Sequence, residues 1–216
     1  MKNPLSQRRL NPNGFGSDNF FMKIIAISGS SRDKKTNMMI ELALKEQSNF
    51  EIIKLKDLEI KPCTNCKSCH QTYKCVINDQ MQDLYPKLVE ADLIILASPT
   101  YFDNVSGIMK NFMDRCLPFY FSGQLAQEKV ALLTIGGFKE YIEYDDLGNC
   151  KWCLENNACQ NSVDQCMQTM ENFCRLLNLS IIGKVSAIHG DPLEKEKELK
   201  ELGEKINVFR PAKKKK

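Results

Sequence analysis

Between Lys23 and Ile206 the chain alternates short apolar runs with longer stretches whose apolar residues recur every three or four positions. Ile24–Ile27 has the pattern of a buried strand and ends in Ser-Gly-Ser-Ser, a turn. Phe50–Leu55, Leu93–Ala97, Val130–Ile135 and Ser180–Val185 repeat that strand pattern. Between them, Asn37 to Lys45, Met81–Ala91 and Ser162–Leu177 read as helices, and Pro192–Ile206 as a charged closing helix. After the third strand, Val105, Ile108, Met109, Phe112, Met113 and Cys116 recur at helical spacing and form one apolar face.

Strands alternating with helices of this length predict an α/β fold, a five-stranded parallel sheet doubly wound with helices on both faces. Right-handed crossovers leave few ways to wind it, and the flavodoxin-like strand order 2-1-3-4-5 is the one expected. In such a sheet every loop that follows a strand lies at the carboxyl edge, where ligands bind. The expected organisation is a flexible extension over 1–21, a flavodoxin-like domain over 22–210 and a lysine tail over 211–216. Within the domain, 57–79 is a cysteine-rich loop and 138–165 a cysteine-containing insertion, both at the carboxyl edge. Met22, just before the first strand, is a candidate functional start.

Charge changes the picture little. The formal net charge is +3, but four lysines end the chain and residues 1–21 are basic, so residues 22–212 are mildly acidic. A nucleic-acid binder carries its basic excess on the folded face, so that class is disfavoured, and the tail reads as a solvated end. The longest wholly apolar run, Leu93–Ala97, is far short of the roughly 20 residues a membrane helix needs. The N-terminus lacks the apolar core of a secretory signal, so a cytoplasmic protein is expected.

The first strand leads into Ser28-Gly29-Ser30-Ser31-Arg32-Asp33-Lys34-Lys35-Thr36-Asn37 and then a helix. Hydroxyls, helix-terminal amides and Arg32 suit a phosphate dianion. Alone, the segment reads equally well as a serine-rich turn capping a helix. There is no G-x-G-x-x-G and no Walker motif. The loop after the third strand, Ser98-Pro99-Thr100-Tyr101-Phe102-Asp103-Asn104, offers aromatic surface to a flat ring. After the fourth strand, Gly136-Gly137 lets backbone approach a planar ligand. Phosphate at one end of an edge and a flat aromatic at the other describe a mononucleotide such as FMN.

These loops, with the stretch from Ala91 to Arg115, resemble the NADPH-dependent FMN reductases. With the cysteines added, the resemblance narrows to the iron–sulfur flavoprotein branch. It covers roughly residues 22–137 and, more weakly, 166–206. It implies that Ser28, Ser30, Arg32, Thr36 and Asn37 hold the FMN phosphate. It further implies that Pro99, Thr100, Tyr101, Phe102, Gly136 and Gly137 hold the isoalloxazine, and that the protein is a homodimer or homotetramer. An NAD(P)H or ferredoxin donor is expected, with neither a nucleic acid nor a membrane as partner.

Ten cysteines without a signal peptide point to metal ligation, because cytosolic thiols stay reduced. Cys63, Cys66, Cys69 and Cys75 give C-x2-C-x2-C-x5-C, near a ferredoxin-type run but with a longer last arm and Val76 in place of proline. Structural zinc sites pair two short knuckles across a longer gap, so the spacing favours a [4Fe–4S] cluster over zinc. Cys150, Cys153, Cys159 and Cys166 form a second group in a segment that the family pattern does not contain. A second cluster, a zinc staple and redox thiols stay open there; the expectation carried forward is that these four bind a metal centre of their own. Cys116 and Cys174 sit on apolar helix faces and read as core; His70 and His189 read as isolated.

The function expected is FMN- and iron–sulfur-dependent electron transfer. Hydride chemistry belongs to the flavin, so no side chain is nominated as a catalytic acid or base. An NAD(P)H-dependent FMN or quinone reductase without a cluster is the alternative among enzymes. A non-catalytic, zinc-bearing binding module is the alternative from another class.

Overall fold

The computed structural model describes residues 22–137, 143–148 and 150–209. The expected extension over 1–21 and the whole lysine tail lie outside the described residues, as does part of the insertion. Five parallel strands form the sheet: β1 (Ile24–Ser28), β2 (Phe50–Lys54), β3 (Leu93–Tyr101), β5 (Lys129–Ile135) and β6 (Ser180–Ala187). Their order is β2-β1-β3-β5-β6, and the two-residue β4 (Asn104–Val105) pairs antiparallel with the end of β3. With β4 set aside this is the flavodoxin-like 2-1-3-4-5 winding.

The central strands β1, β3 and β5 are largely apolar because both faces are covered, whereas the edge strands β2 and β6 carry exposed polar residues such as Glu51 and Lys184. Ile25 and Ile27 of β1 face one core with Leu84 and Leu88 of α3 (Met81–Glu90), Phe112 of α4 (Gly107–Arg115) and Met170 of α7 (Ala158–Leu176). Ile24 and Ala26 face the other, with Ile40 of α1 (Lys35–Ala43) and Leu202 of α8 (Glu196–Val208). Cys116 and Cys174 are fully buried in the first core.

Several boundaries move for local reasons. β3 continues past Ala97 because Ser98 and Pro99 stay in register with Thr134 and Ile135, and Thr100 pairs with Val105. The hairpin to β4 turns at Phe102 and Asp103, both left-handed (φ 48° and 60°). α7 starts at Ala158, ahead of Ser162, and Pro192–Lys195 is a 3-10 turn leading into α8. Three short helices give no legible period: α2 (Ser68–Thr72), α5 (Leu117–Ser122) and α6 (Lys151–Asn156).

Candidate functional site

At the carboxyl edge the loops after β1, β3 and β5 enclose a cleft of about 510 Å³, an ordinary size for a small-molecule site. Ser30, Arg32, Lys34, Lys35 and Thr36 line one end. Pro99 to Asp103, with Ile135, Gly136 and Gly137, line the rest, and Ala158, Cys159 and Ser162 of α7 form a wall. Ser30 shapes its own loop: its hydroxyl donates to the Arg32 carbonyl (2.7 Å) and accepts from the Arg32 amide (3.2 Å). Ser28 and Asn37 do not line the cleft. They are buried behind the loop, where the Ser28 hydroxyl donates to Asn37 Oδ1 and Asn37 Nδ2 donates to Asp33. Asp33 is paired with Lys54 and Lys56, which hold its carboxyl below the usual carboxylate range.

The two glycines after β5 are demanded by packing. A Cβ on Gly136 would lie 2.5 Å from Val163 Cγ1 and 2.9 Å from Thr100 Oγ1. Gly137 is left-handed (φ 82°), and its Cβ would lie 2.7 Å from the Ile188 carbonyl oxygen. Bare backbone therefore forms this side of the cleft. Tyr101 is partly exposed and Phe102 fully so, on the opposite lip. Basic groups at one end, bare backbone and aromatic surface at the other, form a donor set that suits FMN.

Cys63, Cys66, Cys69 and Cys75 line one recess together with Arg115, Leu117 and Pro118. Cys63 and Cys66 are exposed, and the enclosed space is only about 20 Å³, so a bound group would sit on the open side of the loop. Asn65, Lys67 and Tyr73 are all left-handed, which bends the loop tightly around its thiols. The Ser68 amide and then its hydroxyl hold the Cys66 thiol below the usual thiol range; burial raises that of Cys69.

The residue that organises this loop has no sequence signal: Arg115, with its side chain 0% exposed. Its guanidinium donates to both oxygens of Asp79, to the Lys61 carbonyl (2.7 Å) and to Cys75 Sγ (3.5 Å). α4 thus spans between the two sites. Its cap, Ser106, donates to the Gly29 carbonyl beside the cleft (2.6 Å), and its last residue meets the cysteine loop.

The second group is assembled differently from expectation. Cys166 is a core residue, 0% exposed, among Met167, Met170 and Cys174, and burial raises its thiol to about 12. It stands seven residues, about two turns of α7, beyond Cys159, which carries it along the helix into the core and away from the other three. Cys150, Cys153 and Cys159 instead gather with His189, so that histidine is not isolated. An isolated antiparallel bridge pairs Tyr144 with Cys150. The left-handed Asn157 (φ 50°) then bends α6 into α7, bringing Cys153 and Cys159 to one corner. His189 arrives from the end of β6.

The description of NADPH-dependent FMN reductases matches residues 22–145. An iron–sulfur flavoprotein of Methanocaldococcus jannaschii is 38% identical over 120 residues, 53% of this chain and 62% of that protein. One from Archaeoglobus fulgidus is 41% identical over 98 residues, 44% of this chain and 48% of that protein. The chain therefore spans less than two thirds of the length of these curated relatives. Among solved structures, an NAD(P)H:quinone oxidoreductase from Methanothermobacter marburgensis superposes with TM-score 0.64. That match has 12% identity and covers 88% of this chain and 98% of that one; it establishes a shared fold.

Proposed function

Because the chain belongs to the NADPH-dependent FMN reductase family, we propose that it is a flavin-dependent oxidoreductase that transfers electrons through FMN and a [4Fe–4S] cluster. The observation that carries this reading is the cleft, cationic at its α1 end and aromatic and glycine-floored at the other. Ser30, Arg32 and Thr36, with Lys34 and Lys35 beside them, would hold the phosphate. Pro99–Phe102 and the Gly136-Gly137 backbone would hold the ring and keep water from one side of it. Ser28 and Asn37 act through the loop, bonded to each other behind it. The cysteines at 63, 66, 69 and 75 would hold the cluster, and Arg115 would donate to Cys75 sulfur, which tunes a cluster's potential. When bound, flavin supplies hydride acceptance together with single-electron release, and a cluster supplies one-electron transfer.

With this reading go a cytoplasmic location, self-association as a dimer or tetramer, and NAD(P)H or a ferredoxin as donor. Among the described residues, no helix is long and apolar enough to cross a membrane. The test is anaerobic purification with flavin, iron and sulfide measured per chain. Arg32→Ala with Thr36→Ala removes two phosphate contacts worth about 1–3 kcal/mol each, so FMN affinity falls at least 30-fold while iron stays. Stoichiometric FMN retained by that double variant, or zinc in place of iron in the wild type, refutes the reading.

A further inference from the structure

The corner where α6 bends into α7 holds chemistry that electron transfer through flavin and cluster does not use. Cys150 Sγ lies 3.9 Å from Cys159 Sγ, and Cys153 Sγ lies 3.8 Å from His189 Nε2. All four donor atoms fall within 4.8 Å of one another. Four ligands set tetrahedrally about 2.3 Å from one ion are separated by about 3.8 Å. We propose that Cys150, Cys153, Cys159 and His189 form a closed tetrahedral site for a single zinc-class divalent ion, clamping the helical wall of the cleft to the end of β6.

Three independent features support it. The first is donor chemistry: three sulfurs and one imidazole are a soft set suited to zinc, and four protein ligands leave no open position, as in structural sites. The second is the orientation of the histidine. Its Nδ1 lies 3.5 Å from Glu194 Oε2, so Nε2 is the nitrogen presented to the sulfurs. Glu194 is itself fixed, because its other oxygen accepts from the Ile188 and His189 amides. A carboxylate bound to the far nitrogen of a histidine is the usual support of a metal ligand. The third is local folding. Cys150 caps α6, Cys153 lies in the first turn of α6 and Cys159 in that of α7, giving a short knuckle followed by a bend. A cubane would instead spread its ligands over four irons, wider than this group stands.

The consequence is mechanical. Ala158, Cys159 and Ser162 line the cleft, so an ion at this corner would fix the wall that faces a bound ligand. Binding would displace the thiol protons and join three separate segments.

The experiment measures zinc and iron in the full chain purified anaerobically from zinc-supplemented medium. The wild type is expected to carry about one zinc per chain. His189→Ala and Cys153→Ser should each lower zinc at least five-fold with iron unchanged, whereas Cys166→Ala should keep it. Wild-type chain produced in cobalt-supplemented, zinc-depleted medium should carry the intense visible bands of a tetrahedral cobalt–thiolate site, lost when zinc is added; this arm needs no variant to fold. Absence of both zinc and the cobalt bands from wild type overturns the proposal. So does equal zinc loss in Cys166→Ala, iron loss in His189→Ala, or a Cys150–Cys159 disulfide in the anaerobic protein. Because the readout is zinc, failure here leaves the flavin and cluster reading standing, and the reverse holds as well.

Discussion

Among the described residues, two groups of four side chains have the chemistry of metal ligands, and their surroundings differ in almost every respect. The first, Cys63 to Cys75, lies in one continuous loop, two of its thiols exposed, with a buried arginine donating to the last. The second draws Cys150, Cys153 and Cys159 from a folded corner and His189 from the far end of β6, with its donors near tetrahedral separation. An exposed loop with a cationic neighbour suits a bulky anionic cluster. A tight, half-buried S3N set suits one small cation. Cysteine count alone cannot separate these cases; the separation of the donors and the charge behind them can.

The largest effect expected is at the first group. Cys66→Ala with Cys69→Ala removes two of four ligands, so iron should drop from about four per chain to near zero. Flavin and zinc should persist, because neither site shares a residue with this loop. Concerted loss of iron and zinc in that variant would erase the distinction between the two groups.

Next is the pairing behind the first group. Arg115 and Asp79 side chains are 0% and 2% exposed. Arg115→Met would strand a buried carboxylate, at a cost of about 3–5 kcal/mol, read by urea denaturation. The same pair fixes a pH dependence. Burial would raise the Asp79 carboxyl, but the Arg115 guanidinium and the Lys61 and Met81 amides outweigh it and hold it below the usual range. A depressed folded pKa contributes stability above the unfolded value, about 4, that is lost as pH falls through the folded value. Wild type should therefore lose stability below about pH 4 more steeply than Arg115→Met does.

At the second group the corresponding support is Glu194. Glu194→Gln leaves all four donors in place but weakens the hold on His189 Nδ1, so zinc affinity should fall about 10- to 100-fold by competition with a chromogenic chelator. Iron content should not change. An unchanged zinc affinity would mean that Glu194 serves only the turn at Ile188.

How far these contrasts could be read beforehand depends on what kind of order carries them. The central strands were legible because they are buried on both faces and so are written as apolar runs, while the edge strands β2 and β6 keep only short apolar stretches among polar residues. The loops after β1 and β3 that line the cleft were legible because each is contiguous. Arg115 was not, since it reads as the polar end of an amphipathic helix and only tertiary packing buries it beside Cys75. His189 was missed for a similar reason: it stands 30 residues from the nearest cysteine of its group in sequence. Its place beside Cys153 depends on β6 ending next to the α6–α7 corner. Cys166 misled in the opposite direction, because spacing groups it with its neighbours while two further turns of α7 carry it into the core.

The smallest effect expected isolates that last residue. Cys166 and Cys174 lie on the buried face of α7, both 0% exposed. Truncating either to Ala removes one buried sulfur and leaves a small cavity, costing about 1 kcal/mol by denaturation. Burial raises both thiols to about 12, so neither is a thiolate at neutral pH, and no charge is lost with them. Zinc and iron should equal wild type in both variants. Cys159→Ala, two helical turns before Cys166 on the same face of α7, should differ in kind: zinc falls while iron holds. If Cys166→Ala and Cys159→Ala behave alike, α7 does not divide core from metal site between them, and the ligand set at this corner must be redrawn.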